Sequence, residues 1–263
     1  NEDREQTFLE HLVELRSRLL KASAAVLVVL LVLLPFSRKL YEALAAPLTE
    51  KLPEGSSMIA IDVASPFLTP FKLSLLLALI LSIPIVLYQS WAFVAPALYR
   101  HEKRLAKPLL YSAVVLFYGG CAFAYFVVFP LIFGFFTSVA PAGVSVMTDI
   151  SKYLDFVITL FLAFGLAFEV PIATIILVAT GICTVDQLSA ARGYVVVGAF
   201  TVGMLLTPPD VISQTLLAVP IWLLFEAGLL MSRILLPHRV KANEEDAAGE
   251  SEADAVKSDQ AKN

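Results

Sequence analysis

Charge is scarce in this chain. Only 16% of its 263 residues are Asp, Glu, Lys or Arg, while 58% are hydrophobic and the mean hydropathy is +0.80. Soluble domains carry roughly 45–50% apolar residues, so a water-soluble globular fold is excluded. Cysteine is scarcer still: Cys121 and Cys183 both lie in apolar or span-edge sequence, which implies structural thiols and no disulfide framework. With three histidines, His238 among them in the tail, a metal site has little to build from. Catalytic signatures are also missing. His101-Glu102 opens like a zinc-protease motif, but Leu105 stands where the second His belongs, and there is no P-loop and no G-x-S-x-G. The chain therefore reads as a non-enzyme without cofactor or metal. Its apolar runs are long and do not alternate, which excludes a membrane β-barrel. What remains is an all-α polytopic membrane protein.

Six runs qualify as spans, at about 19–36, 71–95, 109–133, 156–180, 193–206 and 211–234. The fifth covers about 21 Å against a hydrocarbon core of about 30 Å. The strictly uncharged part of the sixth is also short, and a tight Thr207-Pro208-Pro209-Asp210 turn joins the two. Two short neighbours point to thinned lipid or a cavity beside them. Ser37–Pro70, rich in proline and charge, reads as a folded cap or loop with at most short helices, and Gly181–Arg192 as a short loop. Trp91 and Phe93 suit an interfacial aromatic belt. Residues 1–236 form the membrane domain. The segment 237–263 holds seven acidic residues and almost no large apolar ones, so a disordered acidic tail is expected there. No internal repeat is evident, which argues against the inverted-repeat plan of many transporters.

Lys and Arg fix the expected orientation. Twelve of them lie before span one, after spans two, four and six, and before span three; five lie on the opposite side, namely Arg38, Lys39, Lys51, Lys72 and Lys152. Six spans with both termini in the cytoplasm satisfy this distribution. The acidic Asn1–Glu5 stretch is unlike the n-region of a cleavable leader, so the first span is expected to act as its own insertion signal.

The entry to that span is the most informative stretch. Thr7-x-x-Glu10 has the capping-box pattern. Phe8, Leu12, Leu15 and Leu19 then form one stripe, with Glu10, Glu14, Ser17, Arg18 and Lys21 opposite. Such a helix lies at a membrane surface and then dives, holding Glu14 near the water–lipid boundary. Glu102 is expected on the same side. Two fixed carboxylates beside an apolar surface can take guanidinium groups through bidentate, charge-assisted hydrogen bonds. The competing reading is an ordinary i,i+4 pair of Glu14 with Arg18 and neutralisation of Glu102 by Lys103 and Arg104. Glu169 lies mid-span and is expensive there unless paired, hydrated or protonated. Glu226 is nearer a span end and can reach the interface. Asp210 can cap span six or serve a ligand.

The motifs taken together resemble the TatC family, the large subunit of the bacterial twin-arginine protein translocase. They are His11-Leu12-Val13-Glu14-Leu15-Arg16, Ser65-Pro66-Phe67, Trp91-Ala92-Phe93-Val94-Ala95-Pro96-Ala97-Leu98-Tyr99, His101-Glu102, Phe123-Ala124-Tyr125-Phe126, Phe168-Glu169-Val170-Pro171 and Leu206-Thr207-Pro208-Pro209-Asp210. The resemblance covers about residues 8–236 and leaves out the acidic tail. It implies six helices in a concave, glove-like arrangement in the bacterial inner membrane, with the termini cytoplasmic. It implies a receptor for twin-arginine signal peptides of folded cargo, driven by proton-motive force without nucleotide. It places Glu14, Glu102, Phe93 and His11 around those arginines and Glu169 in contact with the partner subunits TatA or TatB. It makes Pro208 and Asp210 a transport-sensitive periplasmic turn. Self-association in a larger complex and contact with lipid follow; nucleic acid does not. The alternative from residues alone is a proton-coupled small-solute transporter using Glu169 and Glu226.

Overall fold

In a membrane every backbone N–H and C=O must find its partner inside the protein, which leaves helices as the building block for runs this apolar. The computed structural model describes residues 8–49, 58–99, 106–139, 148–206 and 211–237. They are almost entirely helical. Helix α1 (Phe8–Leu33) passes through a 3-10 turn at Leu34–Phe36 into α2 (Ser37–Thr49). Next come α3 (Ser65–Tyr99) and α4 (Ala106–Phe123), then a π-helical segment at Ala124–Val128 and α5 (Phe129–Val139). The rest is α6 (Ile150–Ala167), α7 (Val170–Ala179), α8 (Val185–Ala190), α9 (Arg192–Leu206) and α10 (Val211–Leu235). Among the described residues, five apolar stretches are long enough to cross a membrane, and the α9 stretch, Arg192–Leu205, is a shorter sixth.

Proline sets the irregularities. Pro66 lies in the first turn of α3, where its missing N–H has no partner to lose. The prolines at 66 and 70 therefore belong to a helix, whereas the sequence placed them in a loop. Likewise α2 is a 13-residue helix where a cap with only short helices was expected. Pro130 has no N–H to give, and its ring crowds the carbonyl four residues back, at Phe126; the wider turn at Ala124–Val128 relieves that crowding. Pro171, in the first turn of α7, separates α7 from α6. The expected Gly181–Arg192 loop contains α8. Its N-terminus is a capping box in which Gln187 N donates to Thr184 Oγ1 at 3.1 Å and Thr184 N donates to Gln187 Oε1 at 3.0 Å. The Thr7–Glu10 box lies outside the described residues, as do the Glu10 and His11 side chains.

The α6–α7 column is the centre of the fold. One buried cluster joins Leu73, Ile80, Phe117 and Cys121 to Leu154 of α6. A second joins Val128, Ile132 and Leu217 to Val157, Leu160 and Phe164 of α6. The third joins Trp91, Ala113, Phe225 and Leu229 to Ile172 and Ile175 of α7. By contrast, α1 packs along α3 and leaves most of its apolar side chains on the outside. Three glycines let helices meet at backbone distance. A Cβ on Gly120 would sit 2.4 Å from the Phe164 carbonyl oxygen, one on Gly165 would sit 2.7 Å from the Phe117 ring, and one on Gly228 would sit 2.8 Å from Pro171 Cα.

Two polar connections meet outside the bundle. Ile59 N donates to Thr148 O at 3.0 Å and Ile150 N donates to Ile59 O at 2.9 Å, a single parallel bridge. Beside it, Tyr153 Oη donates to Leu44 O at 3.5 Å, and Lys72 Nζ of α3 reaches Asp155 Oδ1 of α6 at 2.9 Å. Sequence alone left Asp155 at the end of a loop; it lies in the second turn of α6, facing a lysine 83 residues away.

Close helix contact at Gly120 has a measurable consequence. Gly120→Val forces α4 from α6 and is expected to destabilise the protein by about 1–3 kcal/mol, the usual cost of overpacking. Gly198→Ala, where an added Cβ meets nothing within 4 Å, is expected to leave the thermal melt unchanged. Melting of the detergent-solubilised variants checks both.

Candidate functional site

Helices α1 and α3 bring the first group of candidates to one level. Leu34 at the end of α1 and Phe71 near the start of α3 line the same cavity, so the two helices run antiparallel. Counting back along α1 from Leu34 to Glu14 covers about 30 Å, and forward along α3 from Phe71 to Phe93 about 33 Å. Glu14 and Phe93 therefore stand at the same end of the pair. The Arg18 Nε donates to Glu14 Oε1 at 2.8 Å, and its Nη2 reaches the same oxygen. The i,i+4 pair weighed from sequence is thus present. It occupies one carboxylate oxygen, and among the described residues Oε2 has no partner. Phe93 is half-buried on α3. Glu102, Pro208, Asp210 and the acidic tail from residue 238 lie outside the described residues.

Glu169 occupies the break between α6 and α7. Phe168 N donates to Phe164 O and Glu169 N to Leu166 O, both at 3.0 Å, and Ala173 N donates to Glu169 O at 2.9 Å as α7 begins. The two-residue turn aims the Glu169 side chain out of the column into an open recess of about 200 Å³. Leu87, Ser90 and Trp91 of α3 form one wall, and Ile172, Ala173 and Ile176 of α7 the other. Ser90 Oγ already donates to Val86 O at 3.0 Å, so it is committed to its own helix. Glu169 Oε1 is buried and has no hydrogen-bond partner among the described residues. An unmet carboxyl in an apolar recess is costly, and a polar group entering the recess would satisfy it.

Trp91 belongs to this recess. It is only 7% exposed and packs in the α3–α4–α7–α10 cluster, so it is not the interfacial aromatic its position near a span end suggested. Gly228 seats α10 directly on the first turn of α7, against Pro171 and Thr174, next to the turn that carries Glu169.

Glu226 has the opposite character. Arg192 Nε donates to its Oε1 at 2.5 Å and Nη2 donates to its Oε2 at 3.0 Å, tying the start of α9 to α10. A carboxylate held bidentately by arginine is a structural tie, which leaves the transporter reading with Glu169 alone. Helix α10 has 25 residues, about 37 Å, matching the expected span at 211–234, and Glu226 lies inside it; α9, with 15 residues, is the short neighbour.

Sequence reasoning missed the partners of Lys72 and Glu226 and the role of Gly228. Lys72, a lone cation in an apolar run, was the available signal for the first; the other two carried none.

Glu169 and the Arg192–Glu226 pair generate separate expectations. Glu169→Leu removes an unpartnered buried acceptor and is expected to raise stability by about 1 kcal/mol in a thermal melt while abolishing whatever the recess binds. Arg192→Glu and Glu226→Arg are each expected to lower the melting temperature, and the charge-swapped double variant to recover most of the loss.

The chain is similar to known proteins along most of its length. The family profile described as Sec-independent protein translocase protein (TatC) matches residues 10–220. The Sec-independent protein translocase protein TatC of Azotobacter chroococcum mcd 1 is 57% identical over 248 residues, covering 94% of this chain and 95% of that protein. That of Escherichia coli K12 is 58% identical over 228 residues, 87% and 88% of the two chains. A crystal structure of the twin arginine translocase receptor TatC is 37% identical and superposes with a TM-score of 0.77 over 86% of this chain and 99% of that one. A family profile that matches most of the chain, relatives more than 50% identical along most of its length and a shared fold place this chain in the TatC family of Sec-independent protein translocase proteins.

Proposed function

We propose that the protein is the signal-receiving core subunit of a twin-arginine translocase in the bacterial inner membrane. Its six spans form a concave bundle over residues 1–236, with both termini and the acidic tail in the cytoplasm. One observation carries the recognition step: Glu14, at the surface end of α1, keeps one carboxylate oxygen outside its pair with Arg18. Glu102 follows α3 by three residues and is the second carboxylate, with Phe93 and His11 at the same end. Arginine suits this arrangement because its planar fork can bond both oxygens of a carboxylate, displacing Arg18 from its weak i,i+4 pair, whereas lysine offers a compact point charge. The apolar part of a signal peptide then lies along the exposed side chains of α1 and α3.

In this reading Glu169 is the contact for the partner subunits TatA or TatB. A helix approaching the recess between α3 and α7 satisfies the carboxyl with a polar side chain, and the apolar walls bind its remainder. Pro208 and Asp210 form the periplasmic turn between α9 and α10. Several copies assemble, and proton-motive force drives the export of folded cargo.

Binding of a peptide with two arginines ahead of an apolar segment tests the reading. Loss of a charge-assisted hydrogen bond removes about 1.5–3 kcal/mol, or roughly tenfold to a hundredfold in affinity. Glu14→Ala and Glu102→Ala are each expected to weaken binding by that factor, as is replacement of both arginines by lysine. Equal binding of both peptides to all three proteins would remove Glu14 and Glu102 from recognition.

A further inference from the structure

The end of the α1–α3 pair away from Glu14 holds a second recess, of about 330 Å³. Ser37 and Arg38 provide its polar side, at the turn from α1 into α2. Its apolar walls are Leu34 and, from the first turns of α3, Pro66, Pro70 and two phenylalanines, Phe67 and Phe71. Among the described residues no acidic side chain pairs with Arg38, and the Ser37 hydroxyl has no hydrogen-bond partner. Glu42 stands one turn further along α2, and Lys39 adds a second cation beside Arg38.

Height and shape both bear on the occupant. Lys21 and Arg38 bracket a stretch of 16 residues without charge, and the rise from one to the other is about 25 Å, close to the hydrocarbon thickness of a bilayer. Arg38 thus stands where lipid phosphates lie. Below it, two exposed apolar stripes start at the recess and run toward the bilayer centre. Beyond half-buried Leu34, exposed Leu31 and Leu27 follow one another on α1, and exposed Phe67, Phe71 and Leu75 on α3. Phe67 is 76% exposed although it forms the wall of a polar recess, as a side chain covered by acyl chains would be. A guanidinium bonds phosphate oxygens bidentately, and a neighbouring hydroxyl donates a further hydrogen bond.

We propose that this recess is a binding site for a membrane glycerophospholipid, with the phosphate on Arg38 and Ser37 and one acyl chain between the two stripes. The site is separate from the Glu169 recess and from the Glu14 end of α1, and does not depend on the proposed transport function.

Native mass spectrometry of the full chain in detergent tests it, with phosphatidylglycerol as the probe. The wild-type protein is expected to retain one phosphatidylglycerol at activation energies that strip the others. Arg38→Gln is expected to reduce that retained population at least fivefold, Arg38→Lys less, and Phe67→Ala in part. Dioleoylglycerol, which lacks the phosphate, is expected not to be retained. Retention that survives Arg38→Gln, or equal retention of dioleoylglycerol, would overturn the site. Displacement by millimolar inorganic phosphate would overturn the lipid assignment, since a free anion would then suffice. Because Arg38 is exposed, its variants are expected to melt like the wild type; a common loss of melting temperature and of lipid would mark Arg38 as structural instead.

Discussion

The backbone ladder of the α6–α7 column is the constraint on which the rest of the structure depends. Inside hydrocarbon a broken ladder is tolerated only where protein or a polar recess surrounds it. Pro171 breaks this one, removing the donor that the Ala167 carbonyl would use four residues back. The column is packed on several sides by α3, α4, α5 and α10, so side-chain packing adds to the few backbone bonds that hold the break in place. Gly228 brings α10 against Pro171 itself. The result is a fixed two-residue turn that presents Glu169 sideways, which an unbroken helix with the same sequence register would not do.

Charges in the described bundle sort by whether the chain supplies a partner. Arg192 and Glu226 satisfy each other across two helices, as do Lys72 and Asp155. Glu14 and Arg18 share a face of one helix. Each of these pairs is partly exposed, where solvent screens it and its value to stability is small. Their effect is geometric: they set the relative height of α9 and α10 and of α3 and α6. Glu169 stands apart as a carboxyl without a partner, in a recess whose other polar residue is bonded elsewhere. Among the described residues it is the one carboxylate with a buried oxygen that nothing in the chain satisfies.

Much of this was legible in the sequence, because apolar length is a local property. The long apolar runs, the short fifth run and the mid-run position of Glu169 could be read directly. Features that depend on residues far apart in the chain could not. Nothing near Glu226 signals Arg192, and nothing near Asp155 signals Lys72. Trp91 was misplaced for a related reason: its position near a span end said interface, while its burial was decided by α4, α7 and α10. Pro66 was read as a breaker, although a proline in a first helical turn costs no hydrogen bond; Pro70, one turn further on, is carried inside α3 despite the bond it cannot make. Thr184-Val185-Asp186-Gln187 did carry a helix start in plain local form and was passed over because the segment is short.

The bridge between Ile59 and Asp149 bears on how the protein is made. Its two halves are separated by about 90 residues of chain. At synthesis rates of about 5–20 residues per second, the second half emerges roughly 5–20 seconds after the first. During that interval α1, α2 and α3 have each other but lack the α6 surface that buries Leu73 and Ile80 and neutralises Lys72. The early hairpin is therefore a provisional structure, with a lysine and two unmet backbone groups waiting for a later helix. Assembly of this bundle is ordered by the chain itself: closure of the cap reports that α6 has arrived on the correct side and in register.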